Sequence, residues 1–247
     1  MFDKTEKVDY NEGEKEEKSM EKGRTITPIA FIKTDFTEKF GIPRQSGRAP
    51  SLRAEIVFLE KYRQAEALQG IEGFSHLWLI FDFSKTEEKD FTPTVRPPRL
   101  GGNKRVGVFA SRSPFRPNRL GLSCVKLEEI KHTEKGAVLV VSGADLLDGT
   151  PIFDIKPYLP FCDAIEDAVG GYADKEKDYK LTVSFEESLL DKIPNDKQAG
   201  VLECLADDPR PSYQKDAQRI YGMSFAGFEI KFTVDEKHLT VISVEKV

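Results

Sequence analysis

The sequence predicts a mainly β protein, an antiparallel barrel or sandwich followed by a smaller α+β unit. Three observations carry that prediction. Six short segments rich in Val, Ile, Leu and Phe, each bounded by turn residues, fill the first two thirds of the chain. Strands there do not alternate with long helices, which disfavours a doubly wound α/β sheet. Beyond a charge-dense stretch at Asp174–Asp178 the order changes to strand, helix, strand, strand.

Residues 1–23 carry eight acids and five lysines with almost no apolar content. Such a segment buries too little surface to offset its ordering entropy and reads as a disordered extension, a short exposed helix being the alternative. The strands expected next are Ile26–Lys33, Ala54–Leu59, Phe74–Phe83, Val106–Ala110, Leu122–Ile130 and Ala137–Ser142, with one short helix at Gln64–Gln69. Period-two alternation is clearest at Leu122–Leu127, where Leu122 and Cys124 share a face. Gly170-Gly171 and the charged stretch after it read as a linker. This places a boundary near residue 175 and divides the chain into domains 24–174 and 175–247. The second domain is expected to hold a strand at Tyr179–Phe185, a helix within Asp196–Leu205, and strands at Phe228–Val234 and Leu239–Val244.

Composition narrows the function. With 37 Lys+Arg against 42 Asp+Glu over 247 residues the net charge is −5, and the hydrophobic fraction of 39% is that of a globular chain. No apolar run approaches the ~18 residues that span a bilayer, and the N-terminus is charged, so a cytoplasmic protein without membrane partners is expected. Cys124, Cys162 and Cys204 are isolated, and His76, His132 and His238 lie far apart. Neither a metal site nor Ser-His-Asp catalysis is favoured. The sequence contains neither G-x-G-x-x-G nor a Walker A loop, so any nucleotide-like cofactor is held without those cradles.

One region runs against the acidic balance. Between Phe91 and Leu127 there are eight Lys or Arg residues and no acid. Arg112, Arg116 and Arg119 have helical spacing, but Pro114 and Pro117 bias their predecessors out of the helical region, so an ordered loop projecting guanidiniums is expected. Guanidinium engages phosphate bidentately, and a local basic patch on an acidic chain points to one polyanion site. Arg105, Arg116 and Arg119 are the candidate contacts to that polyanion, RNA among the classes it admits, with Phe109 and Phe115 interleaved among them either to stack on bases or to pack in the core. Three further clusters mix charge with Pro or Gly: Gly41–Gln45, Asp145–Pro151 leading into Phe153–Phe161, and Asp208–Tyr213.

Taken together, K-F-G-I-P-R-Q, F-S-H-L-W, R-P-P-R-L-G-G-N, S-R-S-P-F-R-P-N-R-L-G-L-S, D-L-L-D-G-T-P-x-x-D-I-K-P-Y-L-P and D-P-R-P-x-Y closely resemble the TsaA-like (TrmO) family of tRNA methyltransferases, in order, over about residues 24–247. The resemblance implies a small antiparallel β-barrel, not a Rossmann sheet, with a smaller α+β C-terminal domain. It implies S-adenosyl-L-methionine as cofactor, a homodimer, and a tRNA anticodon stem-loop as partner. The implied reaction is methylation of N6 of N6-threonylcarbamoyladenosine at nucleotide 37 of tRNA(Thr). Cofactor contacts are implied at Pro43, Arg44 and Gln45, at Ser84 and Lys85, at Arg112 and Leu122, and along Asp145, Leu146, Leu147 and Asp148. Relatives often carry His-Gln where this chain has Ser84-Lys85. With histidines scarce, Asp208 is the first candidate for a general base, beside Arg210 and Tyr213, and Arg210 is an alternative partner for the threonyl carboxylate. The competing reading is a non-catalytic RNA-binding or S-adenosylmethionine-sensing barrel.

Overall fold

The computed structural model describes residues 25–86, 91–97, 100, 104–211, 213–214 and 216–247, with only the backbone at 175–176. The extension read at 1–23, and parts of the R-P-P-R-L-G-G-N and D-P-R-P-S-Y motifs, lie outside the described residues. Strands β1 (Ala30–Lys33), β2 (Arg53–Phe58), β3 (His76–Asp82), β4 (Thr94–Val95), β5 (Val106–Gly107), β6 (Leu120–Thr133), β7 (Gly136–Ser142) and β8 (Pro151–Pro157) make up the first part. Six of them pair in a ring, β1-β2-β7-β6-β3-β8 and back to β1, a closed barrel with every pair antiparallel. The period-two pattern directs Ile32, Ile56, Leu77, Leu79, Val125, Leu139 and Ile152 into one buried core. Along β6 the pattern holds: Gly121, Ser123 and Val125 are buried while Leu122 faces outward.

Up to residue 178, sequence expectation and structure differ most in four places. Pro151–Pro157 was read as loop but closes the barrel as β8. Its prolines sit at the two ends of the strand, where a missing N–H is tolerated. Val106–Ala110 supplies only the two residues of β5, which pair with β4, and then tightens into a 3₁₀ turn at Val108–Ala110. The helix expected at Gln64–Gln69 is a 3₁₀ turn, Ala65–Leu68, and the linker at Asp174–Asp178 overlaps another at Gly171–Glu176.

The second part holds β9 (Thr182–Ser184), β10 (Tyr221–Phe225), β11 (Phe228–Asp235) and β12 (His238–Lys246) in the order β10-β11-β12-β9. Short helix α1 (Pro160–Asp163) precedes it, and α2 (Glu187–Leu190) and α3 (Asn195–Ala206) lie within it. β10 was missed because Gly222 and Met223 weaken its strand signal. This core contains Val201, Leu205, Met223, Phe225 and Ile230, and it also draws in Phe36, Ala49 and Leu52 from the connection between β1 and β2. α3 approaches that connection closely: a Cβ on Gly200 would lie 2.3 Å from Leu52 Cδ2. Lys197 pairs with Asp35 at 2.6 Å, and Ser51 donates from its backbone N–H and hydroxyl to Glu203.

Candidate active site

Strand register decides what meets at the barrel mouth. Lys33 ends β1 opposite Glu55, Arg53 begins β2 opposite Ser142 at the end of β7, and Asp82 ends β3 opposite Leu120 at the start of β6. The connections 34–52, 83–119 and 143–150 therefore emerge at one end of the barrel, each carrying one of the motifs. They are laced together. Gly47 N–H donates to Gly143 O at 2.8 Å, a contact so close that a Cβ on Gly143, whose φ is +73°, would sit 3.2 Å from Gly47 backbone. Thr34 N–H donates to Asp148 Oδ1, Arg119 Nη1 to Thr86 O, and Arg112 Nη1 to Gln45 Oε1 at 2.6 Å.

A cavity of about 820 Å³ opens where the three connections converge. Pro43, Arg44 and Gln45 form one wall, Ser84 and Lys85 a second, Arg112 and Leu122 a third, and Asp145, Leu146 and Leu147 the floor. Asp148 is the exception among the expected cofactor residues: it is exposed and serves the Thr34 N–H instead. The volume suits a small-molecule cofactor, and the lining joins apolar walls (Leu122, Leu146, Phe81) to a carboxylate. That carboxylate, Asp145, accepts from the Ser123 hydroxyl, and burial pushes its carboxyl above the usual range against the pull of Ser123 and Arg112. A cation placed beside it relieves the unfavourable ionisation, so the donor set fits a group that carries both an apolar face and a positive charge.

A larger cavity, about 1690 Å³, lies alongside. Among the described residues it is lined by eight cationic side chains, including Arg96, Arg105, Arg116 and Arg119, and by one carboxylate, Asp207. The two cavities share a wall of Arg44, Gln45, Thr86, Phe109, Arg112 and Arg116. Local hydrogen bonds fix the cations: Arg105 donates to Thr94 Oγ1 at 2.7 Å, and Arg116 Nη1 to Ser111 O at 3.0 Å.

Asp208 and Arg210 line neither cavity. Both are buried, and Arg210 grips Asp208 through Nε at 2.9 Å and Nη2 at 3.2 Å, while the Tyr179 hydroxyl donates to Asp208 Oδ2 at 3.0 Å. Both carboxylate oxygens are occupied and neither faces a cavity, so the geometry within the chain does not support Asp208 as general base. Nor does Arg210, committed to Asp208, stand ready for a substrate carboxylate within the chain. Tyr213 is exposed on the surface. What this turn does is hold Arg44, whose Nη2 donates to the Asp208 and Arg210 carbonyls. Asp208 reaches that position through a left-handed backbone, φ 54°, two residues past the end of α3.

Sequence reasoning passed over two residues here. Asp207, almost fully buried, accepts from Arg48 Nε at 2.7 Å and from the Arg44 N–H at 3.3 Å. Arg48 also donates to the Lys177 and Tyr179 carbonyls. The doublet Asp207-Asp208 and the lone Arg48 three residues beyond Gln45 were the available signals. Among the described residues no group of three or more His, Cys, Asp or Glu side chains is placed to share a metal ion, and no helix is long and apolar enough to cross a membrane.

Comparison with known proteins accords with this geometry. The family model for the tRNA-methyltransferase O N-terminal domain matches residues 31–164, and that for the TrmO C-terminal domain matches 178–247. The chain is 41% identical over 225 residues to the tRNA (adenine(37)-N6)-methyltransferase of Escherichia coli, covering 88% of this chain and 96% of that one. It is 45% identical over 207 residues to a putative S-adenosylmethionine-dependent methyltransferase, RcsF, of Pseudomonas aeruginosa, covering 81% and 87% respectively. A crystal structure of TrmO from P. aeruginosa superimposes with a TM-score of 0.73 at 34% identity, covering 91% of this chain and 98% of the other. With both family models matched in order across most of its length, the chain belongs to the TrmO family of tRNA methyltransferases.

Proposed function

We propose that this protein is an S-adenosyl-L-methionine-dependent methyltransferase acting on N6 of adenosine 37 in tRNA, the activity that names its Escherichia coli relative. The observation that carries the proposal is the wall shared by the two cavities, one suited to a cationic cofactor with an apolar face and the other to RNA phosphates. S-adenosylmethionine, when bound, supplies a methyl group activated by a sulfonium. The Pro43–Gln45 turn, Ser84-Lys85, Arg112, Leu122 and the Asp145–Leu147 floor hold it, with Asp145 as the counter-charge. Arg105, Arg116 and Arg119 anchor the anticodon stem-loop, and Arg44, gripped by the Asp208–Arg210 turn, fixes the boundary between donor and acceptor. Positioning of this kind supplies much of the acceleration in a displacement reaction.

We further propose that the acceptor is N6-threonylcarbamoyladenosine of tRNA(Thr). The carboxylate of its threonyl group suits a cavity whose described lining residues include eight cations and one acid. A homodimer is the proposed assembly: Phe161, Ile165 and Val169 project apolar surface after β8, as a face for a second copy would. The test is nucleoside mass spectrometry of tRNA incubated with the protein and S-adenosylmethionine. The proposal expects a gain of one CH2 on the threonylcarbamoylated adenosine alone. Gain on the unmodified adenosine refutes the finer assignment, and no gain on any tRNA favours the non-catalytic reading.

A further inference from the structure

Phe109 occupies a place that the methyltransferase reading does not explain. It sits on the 3₁₀ turn Val108–Ala110, whose neighbour Val108 is 1% exposed while Phe109 is 74% exposed. The turn is not loose. Val108 N–H donates to Pro93 O at 2.9 Å, and the Ser111 hydroxyl and N–H both donate to Val108 O. The backbone is anchored so that a large apolar ring is presented outward, which is unfavourable in water unless something covers it. The ring lines both cavities, and Phe115, 52% exposed, lines the larger one with it. Arg112 lies between the two rings in sequence, and Arg116 directly follows Phe115.

We propose that Phe109 is a stacking platform for an unpaired RNA base, with Phe115 as its neighbour, at the junction of the two cavities. The proposal rests on the RNA reading above and deepens it. Charge complementarity selects the occupant: among the described residues the surround carries eight cations and one carboxylate, which suits a polyanionic strand. An aromatic face among guanidiniums is the combination that holds splayed single-stranded nucleotides, because every base has a π-face and every linkage a phosphate. An enzyme that reaches N6 of an adenosine must expose that base, and a ring at the boundary between cofactor and phosphate walls is where the exposed base or its neighbour comes to rest.

The test uses the full chain and an anticodon stem-loop RNA carrying 2-aminopurine beside nucleotide 37, measuring affinity across a salt series together with fluorescence. Phe109→Ala is expected to weaken binding about tenfold without changing the salt slope, and to lose the quenching seen with the unaltered protein. Phe109→Trp restores both, and Arg116→Ala lowers the slope while keeping the quenching. Unchanged affinity and quenching in Phe109→Ala overturn the platform while leaving the RNA reading intact. An effect of Phe109→Ala confined to oligomeric mass in sedimentation overturns it in favour of a second copy covering the ring. Failure of the unaltered protein to bind RNA at all, seen in the same titration, brings down the RNA reading and the platform with it.

Discussion

Two loops face each other across the barrel mouth, and they are held in different ways. The connection 34–52 is anchored by burial: Phe36, Ala49 and Leu52 lie inside the second core, and Arg44 and Arg48 tie its polar side to Asp207, Asp208 and Arg210. The connection 83–119 is held by short-range polar contacts, Arg105 to Thr94, Arg116 to Ser111 and Arg119 to Thr86, and it leaves Phe91, Phe109 and Phe115 exposed. Burial of apolar side chains ties the first loop to a distant core, while the polar contacts named in the second stay within that loop. The first loop presents a fixed wall to the smaller cavity, while the second lines both cavities and carries the exposed rings.

Glycine substitutions break the comparison most directly. Gly41 has φ +97°, and a Cβ there would lie 2.5 Å from Met223 Cγ and Sδ, inside the second core. Gly41→Ala is expected to lower stability by about 2–3 kcal/mol and to weaken cofactor binding. Gly107→Ala, on the opposite loop with nothing within 4 Å, should change stability by less than about 0.5 kcal/mol. Equal effects of the two in thermal denaturation would erase the distinction between the loops.

Next in size is Asp207→Ala. It removes the acceptor of Arg48 Nε and of the Arg44 N–H, and should lower stability by about 1–3 kcal/mol while raising the cofactor Kd. Asp207→Asn, which keeps an acceptor oxygen, should recover part of both. Isothermal titration alongside denaturant melts separates the two effects.

Asp145 sharpens the comparison from the cavity floor. Burial raises its folded pKa above the unfolded value, so its contribution to stability is present at low pH and is lost as the pH rises through that folded pKa. Asp145→Asn should therefore stabilise the free protein near neutral pH, by up to about 1 kcal/mol. The same change should weaken cofactor binding and remove its pH dependence. In the unaltered protein cofactor affinity should fall as the pH drops through a range above the usual aspartate value of about 3.9. A flat affinity profile there would dismiss Asp145 as the counter-charge. The smallest effect on stability is expected from Arg116→Ala, under about 0.5 kcal/mol, with the salt slope of RNA binding reduced by about one.

The barrel strands were legible because their burial alternates, and the mouth residues were legible because whole motifs, not single residues, identified them. What stayed hidden depends on distance in sequence. Nothing near Pro151 reveals that its strand meets both β1 and β3 to complete a ring. Nothing near Asp208 reveals that the Tyr179 hydroxyl, 29 residues earlier, joins Arg210 on its carboxylate, so a charged, proline-bounded turn read as a proton acceptor when its geometry is that of a clamp. Likewise a lone arginine, Arg48, gives no local hint that its acceptors lie far along the chain in Asp207, Lys177 and Tyr179.

The reach of Arg44 to the Asp208 carbonyl, across 164 residues, has a consequence for how the protein is made. At about 5–20 residues per second, the ribosome releases Asp208 roughly 10–30 s after Arg44. During that interval Phe36 and Leu52 have no seat, and the nascent barrel trails an apolar loop that only the last strands can cover. The anchor of Arg44 is thus absent until translation is nearly finished, and a chain terminated before Asp208 leaves that side of the barrel mouth untied.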